Sequence, residues 1–241
     1  MTEQRFHERR RRDRRKRLLR WAGGLGAVVL VGVLVWLVWF SHVLGVRDVE
    51  VEGTRTLGVK QVRSVADVRP GTPLARLDTA AVEARVAGLP AVERVEVRRS
   101  WPRTVRVEVT ERTAVAWTRV DGDVRALDRF GIDYRTLRQP PRGLVEVSTS
   151  ATDPRQRQLA VVAAAAVVAR LEKDDPDLLK AVRAVEAPSR DAVTLRLSRD
   201  RTVTWGSAAK PEQKLKVLRA LLRIRARGYD VSAPEQPTTR Q

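Results

Sequence analysis

A mixed α+β protein, fixed to a membrane by one N-terminal helix and folded beyond it as two domains, is predicted by three observations. Residues 21 to 40, WAGGLGAVVLVGVLVWLVWF, contain no charged side chain. Ten basic residues precede them between Arg5 and Arg20. From Val46 onward, segments of period-two alternation and segments of helical spacing follow one another without a regular strand-helix repeat, which is the pattern of an α+β rather than an α/β chain.

The apolar stretch comes first. Twenty residues at 1.5 Å rise span roughly 30 Å, the thickness of a bilayer's hydrocarbon core. A cleaved signal peptide would have a shorter apolar run ending in small residues, whereas Trp36, Trp39, Phe40, Ser41 and His42 stand here, so the segment 21–43 reads as an uncleaved transmembrane helix. Its tryptophans, Trp21 at one end and Trp36 and Trp39 near the other, suit the two interfaces. Arg9, Arg10, Arg11, Arg12, Arg14, Arg15, Lys16 and Arg17 form a topology signal: basic residues flanking a first helix stay in the cytoplasm, so residues 1–20 are a cytoplasmic disordered arm and the rest is extracytoplasmic. The same charges suit anionic membrane lipids, and beside a membrane span they give no reason to expect nucleic acid. Gly23 and Ala27, four apart, would permit close packing of another helix, although glycine is ordinary in such spans.

Composition removes most chemistries. The 241 residues carry 47 Lys and Arg against 29 Asp and Glu, a net +18, with no cysteine. No disulfide, cysteine zinc site or thiol nucleophile is possible within this sequence. Both histidines, His7 and His42, precede the external part, so no Ser-His-Asp triad or histidine metal site is expected there. The acidic group Glu172, Asp174, Asp175 and Asp177 lacks calcium-loop spacing, and Asp175 before Pro176 reads as a helix N-cap. No phosphate-binding glycine motif is present. No enzyme, cofactor or metal is expected.

The elements follow in order. Val46 to Val51 alternates as a strand ending at Gly53. Thr56 to Val65 and Asp78 to Leu89 have helical spacing, with Asp78 or Thr79 as N-cap of the second, and Pro70, Gly71, Thr72 and Pro73 turn between them. Val92, Val95, Val97 and then Val105, Val107, Val109 mark two strands joined through Ser100, Trp101, Pro102 and Arg103. Beyond residue 113, Val115 to Val120 and Val124 to Leu127 pair around Asp121, Gly122 and Asp123, and Leu144 to Val147 is a third strand. Pro154 opens a helix whose run from Leu159 to Ala169 is apolar throughout, too short to cross a bilayer and so a buried helix. Val182 to Ala187, Ala192 to Leu197 and Thr202 to Trp205 read as strands, and Pro211 to Arg227 as an amphipathic helix stopped by Gly228. The tail from Tyr229, with Pro234 and Pro237, holds at most a short edge strand.

The stretches VEVEG, PGTPLARLD and LPAVERVEVRRSWPRTVRVEVTER resemble the polypeptide-transport-associated (POTRA) domain of the bacterial cell-division FtsQ/DivIB family, and VAW, ALDRFGIDY, WGSAAKPEQKLKVLRALL and YDVSAPEQPTTR continue the likeness. The residues that carry it include Gly53, Pro73, Leu74, Asp78, Trp101, Pro102, Glu111 and Arg112. The resemblance implies a POTRA domain (βααββ) over 44–113, an FtsQ-type beta domain over 114–231 and a flexible tail over 232–241. It further implies a non-catalytic scaffold of the divisome at the septum. Implied partners are the membrane proteins FtsB/DivIC and FtsL, extending to septal peptidoglycan synthesis proteins, docked by strand addition at an edge of the second domain, with Val203, Trp205, Tyr229, Asp230 and Val231 as candidate contacts. Competing readings are a POTRA-type polypeptide-binding or secretion component, which would be expected to carry further POTRA repeats or a barrel, and a membrane-tethered nucleic-acid binder.

Overall fold

A computed structural model of the chain describes residues 21, 24–33, 36 and 44–241. The arginine arm, and with it Arg9 to Arg17, lies outside the described residues, as does much of the expected span. Residues 24–33 are helical, with Leu25, Val28 and Leu30 exposed. Among the described residues no helix is long and apolar enough to cross a membrane.

The chain divides into two compact units, the first ending at Glu111 and the second running from Arg112 to Gln241. In the first unit the order is β1 (Asp48–Glu52), α1 (Val59–Ala66), a 3-10 turn at Leu74–Arg76, α2 (Thr79–Ala87), β2 (Val92–Ser100) and β3 (Thr104–Glu111). This is the expected strand, helix, helix, strand, strand. The three strands form one sheet in the order β1-β3-β2, with β1 parallel and β2 antiparallel to β3. Alternation places Val97, Val105, Val107 and Val109 on the face that meets Val62 and Ala66 of α1 and Val82 and Val86 of α2, and Leu74 closes the core from the turn. Asp78 caps α2 by accepting from the Ala81 N–H at 3.0 Å.

α1 starts later than its apolar spacing predicts, at Val59 instead of Thr56. Gly58, the N-cap, is extended at φ −70° and ψ 128°, and the Arg55, Thr56 and Leu57 N–H groups before it are held by the Glu111 carboxylate in a non-helical loop.

The second unit is a nine-stranded sheet in the order β12-β11-β10-β9-β8-β7-β4-β5-β6. Its elements are β4 (Ala114–Val120), β5 (Asp123–Asp128), β6 (Asp133–Leu137), β7 (Val145–Ser148), α3 (Pro154–Asp174), α4 (Pro176–Ala181), β8 (Val182–Glu186), β9 (Val193–Leu197), β10 (Arg201–Gly206), α5 (Pro211–Leu221), β11 (Gly228–Asp230) and β12 (Thr238–Arg240). α3 is the expected buried helix: Ala160, Ala164, Val168 and Leu171 are fully enclosed against the sheet. Asp153 and Asp175 cap α3 and α4 through the N–H groups of Gln156 and Leu178. Asp175 also accepts from Arg219, so the acidic group around it is helix-end chemistry, and no metal-binding cluster occurs among the described residues.

Three differences from the sequence expectation have local causes. β6 has no clear alternation of its own; it is held by pairing with β5, after a turn in which Gly131 approaches α3 too closely for a side chain, with Val162 Cα 2.6 Å from where a Cβ would stand. α5 ends at Leu221, six residues before Arg227, because Tyr229 Oη donates to the Ile224 carbonyl at 2.9 Å and accepts from the Ala226 N–H, holding 224–226 in a turn. Gly228 accordingly begins β11 instead of merely stopping a helix. The segment expected as a flexible tail, 232–241, contains β12, antiparallel to β11.

Candidate partner-docking edge

The last three strands are assembled from short, sequence-distant pieces. β11 pairs parallel to β10, with Val203 opposite Tyr229, and β12 pairs antiparallel to β11, with Thr239 opposite Tyr229. Among the described residues no strand lies beyond β12, and all three of its residues are exposed. Facing of the main chain follows from the ladder. The Arg227 carbonyl accepts from Thr202 N–H, and Val231 N–H donates to the Thr204 carbonyl, so Tyr229 between them turns its peptide groups toward β10, while the Arg227 N–H donates to the Arg240 carbonyl of β12 at 3.0 Å. Residues 228 and 230 then face β12, where they meet Arg240 and Thr238. Thr239 is left with its N–H and C=O pointing outward. Among the described residues it has no strand beyond it and is the open hydrogen-bonding position of this edge.

The five candidate contacts lie behind that edge. Val203, Trp205 and Val231 are fully buried and Tyr229 nearly so, all within the core of the second unit. Their side chains support β10 and β11 from within, and the open edge is one strand further out than the residues named for it. Asp230 is only partly buried, and its Oδ1 accepts from the Ser232 N–H at 2.8 Å and the Ser232 hydroxyl at 2.7 Å, turning the chain away after β11. At the sheet's other end β6 is also an edge, but its pairing with β5 is broken by a bulge between Ala126 and Leu127.

One residue that sequence reasoning passed over braces this region. Lys214, on α5, is 1% exposed, and its Nζ donates to the carbonyls of Trp205 at 2.9 Å and Ser207 at 2.8 Å. Burial, and then the neighbouring Lys210 charge, pull its pKa below the usual lysine range. Lys214 thereby ties α5 to the end of β10 where Gly206, at φ +73°, packs under Ser232. Its signal was a polar residue inside the apolar stripe of Leu215 and Leu218. Replacing Lys214 by methionine, similar in length but without the donors, is expected to cost about 1–3 kcal/mol of second-unit stability, read from urea unfolding.

The residues of the sequence motif sit in structural positions of the first unit and at its boundary. Gly53, at φ +83°, has the Val109 carbonyl oxygen only 2.1 Å from where a Cβ would stand, so no other residue fits. Pro73 pairs with Gly45 across an isolated bridge, and Leu74 is fully buried. Trp101 and Pro102, joined by a cis peptide, form the exposed tip of the β2–β3 hairpin. Glu111 binds the 55–57 loop, with Thr56 Oγ1 donating to Oε2 at 2.6 Å. Arg112 pairs with Asp128, which is completely buried.

A βααββ unit followed by a mixed sheet has the architecture of a POTRA-containing protein with a second, β-rich domain. Residues 44–112 match the family model described as "POTRA domain, FtsQ-type". The chain is 37% identical over 236 residues to the cell division protein FtsQ of Streptomyces bingchenggensis, covering 94% of this chain and 87% of that protein. It is 35% identical over 221 residues to FtsQ of Streptomyces collinus, covering 88% and 84%. Against FtsQ of Corynebacterium glutamicum it is 32% identical over 214 residues, covering 88% and 94%. The chain belongs to the FtsQ family of cell division proteins.

Proposed function

We propose that this protein is a non-catalytic scaffold of the divisome, anchored in the cytoplasmic membrane through residues 21–43 with its amino terminus inside, which recruits other division proteins at the septum by accepting a strand at β12. The observation that carries the docking mode is the outward-facing peptide group of Thr239, on a strand that has no neighbour beyond it among the described residues. Strand addition there gives affinity from main-chain hydrogen bonds, while Arg240 and Thr238 on either side select the incoming residues. FtsB/DivIC and FtsL are the partners this reading names, with septal peptidoglycan synthesis proteins reached through them. No cofactor, metal or nucleic acid has a role in it. Buried Trp205 and Tyr229 act by fixing the position of the edge.

The test is replacement of Thr239 by proline. Proline removes the outward N–H and leaves the Gly228–Arg240 and Asp230–Thr238 pairings in place. Cells depleted of the native protein and supplied with the T239P chain are expected to filament, with the altered protein still at the septum and FtsB/DivIC and FtsL absent from it. Normal septa with those partners recruited would remove β12 as the docking site. Normal septa after depletion without any replacement would remove the division role itself.

A further inference from the structure

The hairpin tip at Trp101 has no part in the docking edge. It is nonetheless a large apolar side chain held 52% exposed. Ser100 pairs with Thr104, so residues 101–103 close the turn between β2 and β3. β1 lies parallel to β3 from the Asp48–Thr104 pair onward, and the turn therefore projects past the first paired residue of β1, toward the side from which the chain enters the unit. The Arg103 carbonyl fixes it there, accepting from the Arg47 N–H at 2.8 Å and the Asp48 N–H at 3.4 Å.

The entering chain is bound to the same end. Val46 N–H donates to the Thr72 carbonyl and Gly71 N–H to the Val46 carbonyl, both at 2.8 Å. Gly45 lies against the same turn, with the Gly71 oxygen 2.7 Å from where a Cβ would stand, so nothing bulkier could pass. One end of the unit thus gathers the chain entry, the 69–73 turn and the hairpin tip. Its exposed groups are Trp101, Pro102, Arg47, Arg69, Arg98 and Arg99. Asp48 and Glu96 also lie there, Glu96 pairing with Arg98 at 2.6 Å and Asp48 with Arg63 at 3.6 Å, and the surplus of charge remains basic.

We propose that this end of the first unit, centred on Trp101, docks on the headgroup layer of the anionic bilayer that carries the anchor. The inference rests on the anchored reading of residues 21–43. Val46 follows the end of that segment by three residues, a reach of at most about 11 Å. The polar layer of one leaflet is itself roughly 5–8 Å deep. A tip bound beside Val46 and projecting back past β1 is therefore held at the level of the headgroups. An indole suits that layer, its ring in apolar surroundings and its N–H near water, and arginines around it are drawn to anionic lipid. Docking would fix the tilt of the unit on the membrane, where a tether alone would leave it free to swing.

The chain has no cysteine, so single-cysteine variants of the full chain each carry one environment-sensitive fluorophore. Labels at Leu30→Cys, Gln61→Cys and Arg98→Cys are compared in nanodiscs of phosphatidylglycerol and phosphatidylethanolamine containing nitroxide lipids, spin-labelled either in the acyl chain or in the headgroup. Gln61 is an exposed reporter at the start of α1, the end of the unit away from the tip. Headgroup nitroxides are expected to quench the label at 98 at least threefold more than the label at 61. Adding Trp101→Ser, or replacing phosphatidylglycerol by phosphatidylcholine, is expected to bring 98 down to the level of 61. If 98 is quenched no more than 61 while acyl nitroxides quench 30, the docking is overturned and the anchor stands. If 30 is unquenched as well, both fall. Should Trp101→Ser leave quenching at 98 unchanged yet abolish division, the tip serves a protein partner and the lipid assignment is overturned.

Discussion

Replacing Asp128 by alanine is expected to destabilise the second unit by about 4 kcal/mol, the largest effect of any single substitution considered for it. Asp128 has no exposed surface, and its two oxygens are fully engaged. Oδ2 pairs with Arg112 Nη1, while Oδ1 accepts from the N–H groups of Phe130 and Ile132, each at 2.9 Å. The Asp128 main chain joins the same turn, its N–H donating to the Ile132 carbonyl and its carbonyl accepting from Gly131 N–H. Truncation would leave two amide donors and the Arg112 side chain, 16% exposed, facing the space the carboxylate filled. Removing one partner of a buried ion pair costs about 3–5 kcal/mol because the remaining charge loses its counter-ion in a poorly solvated site. Asparagine keeps an oxygen for the two amides and loses only the ionic part, so it is expected to cost about half as much. Urea unfolding of the three proteins, followed by tryptophan fluorescence, checks the order. Equal stability of the alanine variant and the native chain would mean that solvent reaches the site and replaces the carboxylate.

The same residue shows where reading the sequence stops short. Strands and helices of the first unit were legible because valines alternate in β2 and β3 on one face of a sheet, and because Asp78 stands one residue before a helical repeat. The family likeness was legible because Gly53, Leu74, Trp101–Pro102, Glu111 and Arg112 stand at fixed places along the chain, whatever holds each of them in the fold. What Asp128, Lys214 and Glu111 bind was not legible. Each is polar in a stretch whose local pattern permits a surface position, and only the tertiary fold brings Arg112, the Trp205 carbonyl or the 55–57 loop to it. Helix ends failed on the same account, since the start of α1 and the end of α5 are set by Glu111 and Tyr229, which are distant or later in the chain. Which edge of the sheet is open was not legible, because β12 is three residues long and has no apolar face to announce it. An edge is defined by the absence of a neighbour, and no sequence pattern records that.

Glu111 gives a prediction in which pH separates charge from shape. Its carboxylate lies partly buried, which alone would raise its pKa; the Thr56 hydroxyl and the N–H groups of Leu57, Arg55 and Thr56 act in the opposite sense and prevail, holding it at about 2 against an ordinary 4.5. The unfolded chain offers no such donors, so protons bind the unfolded state more readily between these values. Stability from this site is therefore complete above about pH 4.5 and is lost as pH falls toward 2. Replacing Glu111 by glutamine keeps the shape and one acceptor oxygen but not the charge. The variant is expected to be about 1–2 kcal/mol less stable at pH 7, solvent screening the rest of the charge effect, with α1 losing its fixed entry and the first unit unfolding at lower denaturant. On acidification the native protein should approach the variant, and near pH 2 most of the difference should be gone. A gap of the same size at pH 7 and pH 2 would show that glutamine fails through its shape or its misplaced amide, and that the carboxylate's charge is not what holds the 55–57 loop.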